Sequence, residues 1–262
     1  MPLTEGVLTD IPLLSIAVIA SMVAVGLLVV AGLFLVRSRL DSADAAARRV
    51  VALIALALVA WFLLAFWLAQ AGFFRAYGDG PIPPPIAYGN MLPILIGSAF
   101  ILSSRAFGRV LAAVPHHWLI GVQLYRTLGV IFLIAHATGL LPGVFALPAG
   151  YGDMLVGLTA VLVAYLYARW GLAARRIVTA WNVLGIADLV MAVSLGFLSS
   201  PGRFQMLSLG EPNQMISAYP LVMIPVFAVP LSILLHVCSL TKLSRDARGR
   251  AAGPVESSPS LH

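Results

Sequence analysis

Charge is scarce in this chain, and cysteine and lysine are scarcer still. Only 10% of its 262 residues are charged, against 61% hydrophobic. A soluble domain carries about a quarter charged residues, so this chain cannot cover a water-facing surface. The single cysteine, Cys238, excludes an internal disulfide framework and a thiolate zinc cluster. It reads as a small buried apolar residue. The single lysine, Lys242, sits at the end of the last apolar run, which excludes a Schiff base deep in that run. There is no H-E-x-x-H, no G-x-G-x-x-G, no P-loop and no G-x-S-x-G. The histidines are scattered, against the clusters a metal-dependent lipid oxidase or hydrolase needs. Nothing here announces an enzyme.

What the chain does have is apolar runs of roughly 18 to 26 residues, each able to cross a ~30 Å hydrocarbon core as a helix. The fold class is therefore all-α, a polytopic transmembrane bundle of seven helices across residues 11–243. The spans fall near 11–36, 50–74, 86–103, 119–142, 154–170, 178–199 and 221–243. Residues 1–10 hold Glu5 and Asp10 and no base, so they lack the positive start of a signal peptide. They read as an extracytoplasmic N-terminus. The Gly, Pro and Ser of residues 244–262 predict a disordered cytosolic tail. Before span three the run Pro83–Pro85 reads as a stiff spacer. The segment SRAFGRVLAAVPHHW after that span reads as lying along the interface. LPAGYGD reads as a turn that leaves Asp153 at the mouth of span five. No internal repeat appears, which speaks against an inverted-repeat transporter.

Basic residues fix an orientation. Thirteen of the sixteen Lys and Arg fall between spans one and two, three and four, five and six, or after span seven, with Arg169 and Lys242 at the ends of spans five and seven counted with the segments they adjoin. The opposite side holds Arg75 and Arg203 only, and Arg126 is within the membrane. The positive-inside rule then puts the N-terminus outside and the C-terminus in the cytosol. The formal charge of +6 is spread over loops beside spans and does not form a nucleic-acid face. The expected partners are the lipid bilayer, a small solute, and a second copy or another membrane subunit.

Polar residues at membrane depth carry the functional signal, because each costs at least ~3 kcal/mol unless it is paired or wet. Counted from the cytosolic edge, Arg126 lies roughly 10 to 12 Å deep and Asp188 roughly 15 Å deep. Their heights overlap, so a buried Arg–Asp pair is the economical reading. Gln123 and Thr127 flank the arginine at α-helical spacing, and Gly185 and Ala192 share the Asp188 face, where small side chains would admit the guanidinium. Asn182 reads as an interhelical hydrogen bond. His236 continues a polar stripe with Ser232 and Ser239 and is a proton-relay candidate. The candidate solute-binding set is Gln123, Arg126, Asn182, Asp188 and His236. No metal and no cofactor is expected; a haem held by His236 with His116 or His117 is the remote alternative. Asp79, Asp153, Glu211, Arg75 and Arg203 read as solvated charges near two long outer loops.

The strings QLYRTLG, LPAGYGD, WNVLGIADL and IPVFAVPLSILLH resemble those of uncharacterised bacterial integral membrane proteins. The likeness covers about Leu119 to Leu243 and implies a bacterial inner-membrane location without implying a mechanism. Three function classes stay open. A transporter or permease for a small polar or amphipathic solute leads, an accessory membrane subunit locked by the ion pair is second, and a membrane enzyme or haem carrier using His236 is third.

Overall fold

In a hydrocarbon layer the backbone must satisfy its own polar groups, so long apolar runs become helices. The computed structural model describes residues 12–76, 80–81 and 83–251, and among them it is helical without strands. Residues 1–10, Asp79 and the tail beyond Ala251 lie outside the described residues. Helix α1 covers Pro12–Arg39 and α2 covers Ala45–Gln70. Helix α3 covers Pro85–Ser103, with Pro84 extended before it and Pro85 at its first position, where a missing N–H costs nothing. A short amphipathic helix, α4, covers Arg105–Ala113. It buries Phe107, Val110 and Leu111, and the Ser104 hydroxyl caps it by accepting from the Phe107 N–H.

The rod α5 spans His116–Ala137 in three pieces. Its centre, Val122–Gly129, is a 3-10 helix between the α-helical ends His116–Gly121 and Val130–Ala137. Helices α6, Gly143–Trp170, and α7, Arg175–Ser199, are joined by a tight turn. Gly171 takes φ +54 there, a backbone region that favours glycine. Helix α8, Val229–Ala251, is preceded by a π-helical turn over Ile224–Ala228.

Six helical stretches are long and apolar enough to cross a membrane, and the longest, Gly143–Ser199, is α6 and α7 folded back on each other. Counted separately, they bring the long helices to seven. Large apolar side chains such as Leu27, Phe34, Leu56, Ile96, Leu158 and Leu184 point outward. The chain is a multi-pass membrane protein. Helix α8 is its centre: 67% of its apolar window is buried, against at most 44% in any other stretch. It packs against α3, α5 and α7.

Several boundaries differ from the sequence reading. Helix α6 begins at Gly143, so LPAGYGD is helix and not a turn. Helix α8 runs to Ala251, with Lys242 and Asp246 paired one turn apart at 3.6 Å, so residues 244–251 are not part of a tail. The middle of α5 repeats every three residues, so Gln123, Arg126 and Gly129 line one buried edge while Thr127 bonds back to the Leu124 carbonyl.

Candidate functional site

The site is built on that 3-10 edge. Its repeat stacks Gln123, Arg126 and Gly129 on one buried edge, and at Gly129 an added Cβ would collide with Asp153 of α6. The missing side chain lets α6 come close enough for its carboxylate to reach the arginine. Arg126 Nε donates to Asp153 Oδ1 at 2.8 Å. Nη2 donates to Asp188 Oδ2 on α7. Nη1 donates to the Gly185 carbonyl at 3.2 Å and to His236 Nε2 at 3.3 Å. The arginine is 3% exposed, so every guanidinium nitrogen spends its hydrogens inside the protein. Gly185 is a further close approach: a Cβ there would lie 2.5 Å from His236 Cε1 and 3.2 Å from Arg126 Nη1.

From Arg126 the hydrogen bonds continue onward, and this fixes the His236 tautomer. Guanidinium has no acceptor, so His236 Nε2 accepts and its proton sits on Nδ1. That N–H donates to Asn182 Oδ1 at 2.9 Å. The Asn182 amide nitrogen then donates to the Val178 carbonyl at 2.7 Å and to Ser239 Oγ at 3.1 Å. Ser239 Oγ also hydrogen-bonds His116 Nε2 at 3.1 Å. The other ring nitrogen of His116, Nδ1, is buried and has no partner among the described residues. One string of contacts therefore links α6, α5, α7 and α8 with the start of α5. His236, accepting at Nε2 and donating at Nδ1, is neutral by bonding pattern.

The structure brings four of the five sequence-nominated residues together: Arg126, Asp188, Asn182 and His236. Gln123 lies one turn away, and its amide donates to the Ser232 carbonyl at 3.0 Å. Beside it, the Tyr125 hydroxyl bonds the Ser232 hydroxyl and the Ala228 carbonyl. Ser232, His236 and Ser239 are all buried along α8. The residue missed is Asp153. Expected as a solvated charge at a loop, it stands ten residues inside α6, only 9% exposed and bonded to Arg126. The remaining outer charges divide: Arg75 and Arg203 line a common cavity, Glu211 is exposed, and Asp79 lies outside the described residues.

That cavity measures about 310 Å3. Its lining includes Arg75, Ala76 and Pro84 from one stretch of the sequence, residues 200–205 from another, and Asp153 and Leu189 from the long helices. Its walls include Phe132 and Phe145, whose rings meet edge to face at 5.3 Å. A smaller void of about 30 Å3 touches Tyr125, Arg126, Asp153 and Ser232. Asp153, Phe132, Leu189, Ile224 and Val229 border both, and Asp153 is the charged one among them.

A family model described as a domain of unknown function (DUF8737) matches residues 83–244. The chain belongs to that family. No curated protein and no solved structure matches it. The DUF8737 region contains the whole ion cluster and its hydrogen-bonded string, from His116 to Ser239. Helices α1 and α2 and the cavity residue Arg75 lie ahead of it.

Proposed function

We propose that this chain is a transport protein of a bacterial inner membrane, N-terminus outside and C-terminus in the cytosol, for a small polar or amphipathic solute. The observation that carries the reading is the cavity of about 310 Å3 lined in part by Asp153, which is itself bonded to Arg126. A purely structural ion lock gains nothing from a cavity beside one of its carboxylates. A solute site does, because a bound solute must come within reach of the cluster to be coupled to it.

Charge counting supports the same reading. The cluster holds two carboxylates against one guanidinium, with His236 neutral. An uncompensated charge in low dielectric costs several kcal/mol, so the surplus carboxylate calls for a proton or a cation. We read it as the coupling proton. Arg126 sits between Asp153 on α6 and Asp188 on α7, and releasing either carboxylate frees it to exchange that proton. The π-helical turn ahead of α8 is the bending point, since such irregular turns concentrate at functional sites.

The test is a reconstituted flux assay. Proteoliposomes carrying a pH-sensitive dye would be given an imposed pH gradient and a panel of amino acids, alkyl carboxylates and alkylamines. At least one solute class should move protons, and Asp188→Asn, still folded, should lose that movement. Unchanged flux in the folded variant overturns the proposal.

One observation favours a second reading. Each nitrogen of Arg126 is bonded within the chain, as in a helix lock belonging to an accessory subunit. There Asp188→Asn would shed a co-purifying membrane partner, with no flux in any assay. We assign no haem to His236, because both its ring nitrogens are engaged by Arg126 and Asn182.

A further inference from the structure

The two exceptions to the charge asymmetry share one place. Arg75 and Arg203 are the only bases on the side opposite the thirteen others, and both line the cavity that Asp153 also lines. They come from different loops, one after α2 and one after α7. The rest of the lining is mostly apolar and includes Phe132, Phe145, Leu189, Val193 and Phe197. We infer that the cavity binds a single-chain amphipathic acid, its anionic group between Arg75 and Arg203 and its apolar body along the phenylalanines toward Asp153. This deepens the transport proposal by naming its ligand class, and rests on it for the passage of the bound acid across the membrane.

Charge complementarity decides the sign. Among the described lining residues the two cations are Arg75 and Arg203, and the one carboxylate, Asp153, is already bonded to Arg126. An anion meets the arginines in the planar fork that matches carboxylate, sulfonate and phosphate oxygens. Size decides between a free acid and a membrane lipid. The volume of about 310 Å3 lies at the lower end of the ~300–1,000 Å3 range of small-molecule sites. It accepts one short chain and not the paired acyl chains of a phospholipid, each of which spans about half of a ~30 Å core.

The probe is a diazirine analogue of decanoic acid, photolysed with the full chain in nanodiscs of zwitterionic lipid, the adducts being mapped by mass spectrometry. Adducts should fall on Phe132, Phe145, Leu189 or Val193, and decanesulfonate should compete them away where decylamine does not. The double variant Arg75→Gln/Arg203→Gln should lose at least about tenfold in labelling, as expected when charge-assisted contacts are removed. Val193→Trp, which fills the cavity and leaves both arginines in place, should lose it too. Better competition by the amine, wild-type labelling of the double variant, or adducts only on lipid-facing residues such as Leu158 and Leu184 would each overturn the assignment. So would a phospholipid retained at those same positions in native mass spectrometry. Labelling without flux leaves the ligand class standing and removes transport. Flux of another solute class without labelling does the reverse.

Discussion

At the scale of single residues, Arg126 holds two carboxylates that nothing else neutralises among the described residues. Replacing it by methionine keeps the apolar stem and leaves Asp153 and Asp188 facing each other in a buried space. Breaking a buried ion pair by removing one partner costs about 3–5 kcal/mol, most of it the stranded charge. Arg126→Met should therefore lower the midpoint of chemical unfolding sharply in detergent. Arg126→Met/Asp153→Asn/Asp188→Asn, which removes the charges together, should recover most of the loss. A triple variant as weak as the single one would place the cost in packing instead of charge. The arginine, Asp188, Asn182 and His236 were legible in the sequence because depth follows from counting ~1.5 Å per residue. Asp153 was not, because Pro148, Gly150 and Gly152 imitate a turn. The missing signal was length: a fifth span starting after Asp153 reaches only about 25 Å, short of a ~30 Å core. Beginning the helix at Gly143 repairs the deficit and carries Asp153 into the membrane.

At the scale of elements, the loop between α1 and α2 is tied to the amphipathic helix α4. Asp44 caps α2 by accepting from the Ala47 N–H at 3.0 Å, and it also accepts from Arg109 at 2.5 and 3.1 Å. The Arg109 hydrogen bond first, then the Ala47 N–H, hold the Asp44 carboxyl below its ordinary 3.8. Because the folded value is depressed, this contribution is present above the ordinary value and is lost as pH falls through the folded one. Asp44→Asn should accordingly lower thermal stability at neutral pH and converge with the wild type at pH values below the ordinary carboxylate range. Two melting curves that stay parallel into acid would remove the carboxylate from the explanation. This boundary differs from the sequence reading, which starts the span near residue 50: Arg48 and Arg49 interrupt the apolar run, and the capping aspartate ahead of Ala45 is the local signal that marks the true start. The 3-10 pitch of α5 has no such signal. Gln123, Arg126 and Gly129 fit that repeat as well as Gln123 and Thr127 fit an α-helix. Contact with α6, not local sequence, selects between them.

At the scale of the whole molecule, the asymmetry of basic residues is reinforced by contacts. On the basic side Arg109 pairs with Asp44, Lys242 Nζ donates to the Ala112 carbonyl at 3.1 Å, and the Arg39 guanidinium lies 4.5 Å over the Trp118 ring. These bonds tie α1, α2, α4, α5 and α8 together at one end of the bundle, the end that carries His116. The opposite end carries the two loops that frame the cavity. Such a division makes orientation a functional variable, since it decides which compartment supplies the ligand. It can be read with single cysteines placed in a Cys238→Ala background, because the native thiol is buried. Arg49 and Arg203 are both exposed and are separated by five long helices, α2, α3, α5, α6 and α7. An odd number of crossings puts them on opposite sides. With a membrane-impermeant maleimide, Arg203→Cys should label in intact cells and Arg49→Cys only after permeabilisation. The inverse pattern would turn the cavity toward the cytosol and make the acid an internal ligand. Labelling of both from one side would mean an even number of crossings between them, which the fold of α6 and α7 about Gly171 does not permit.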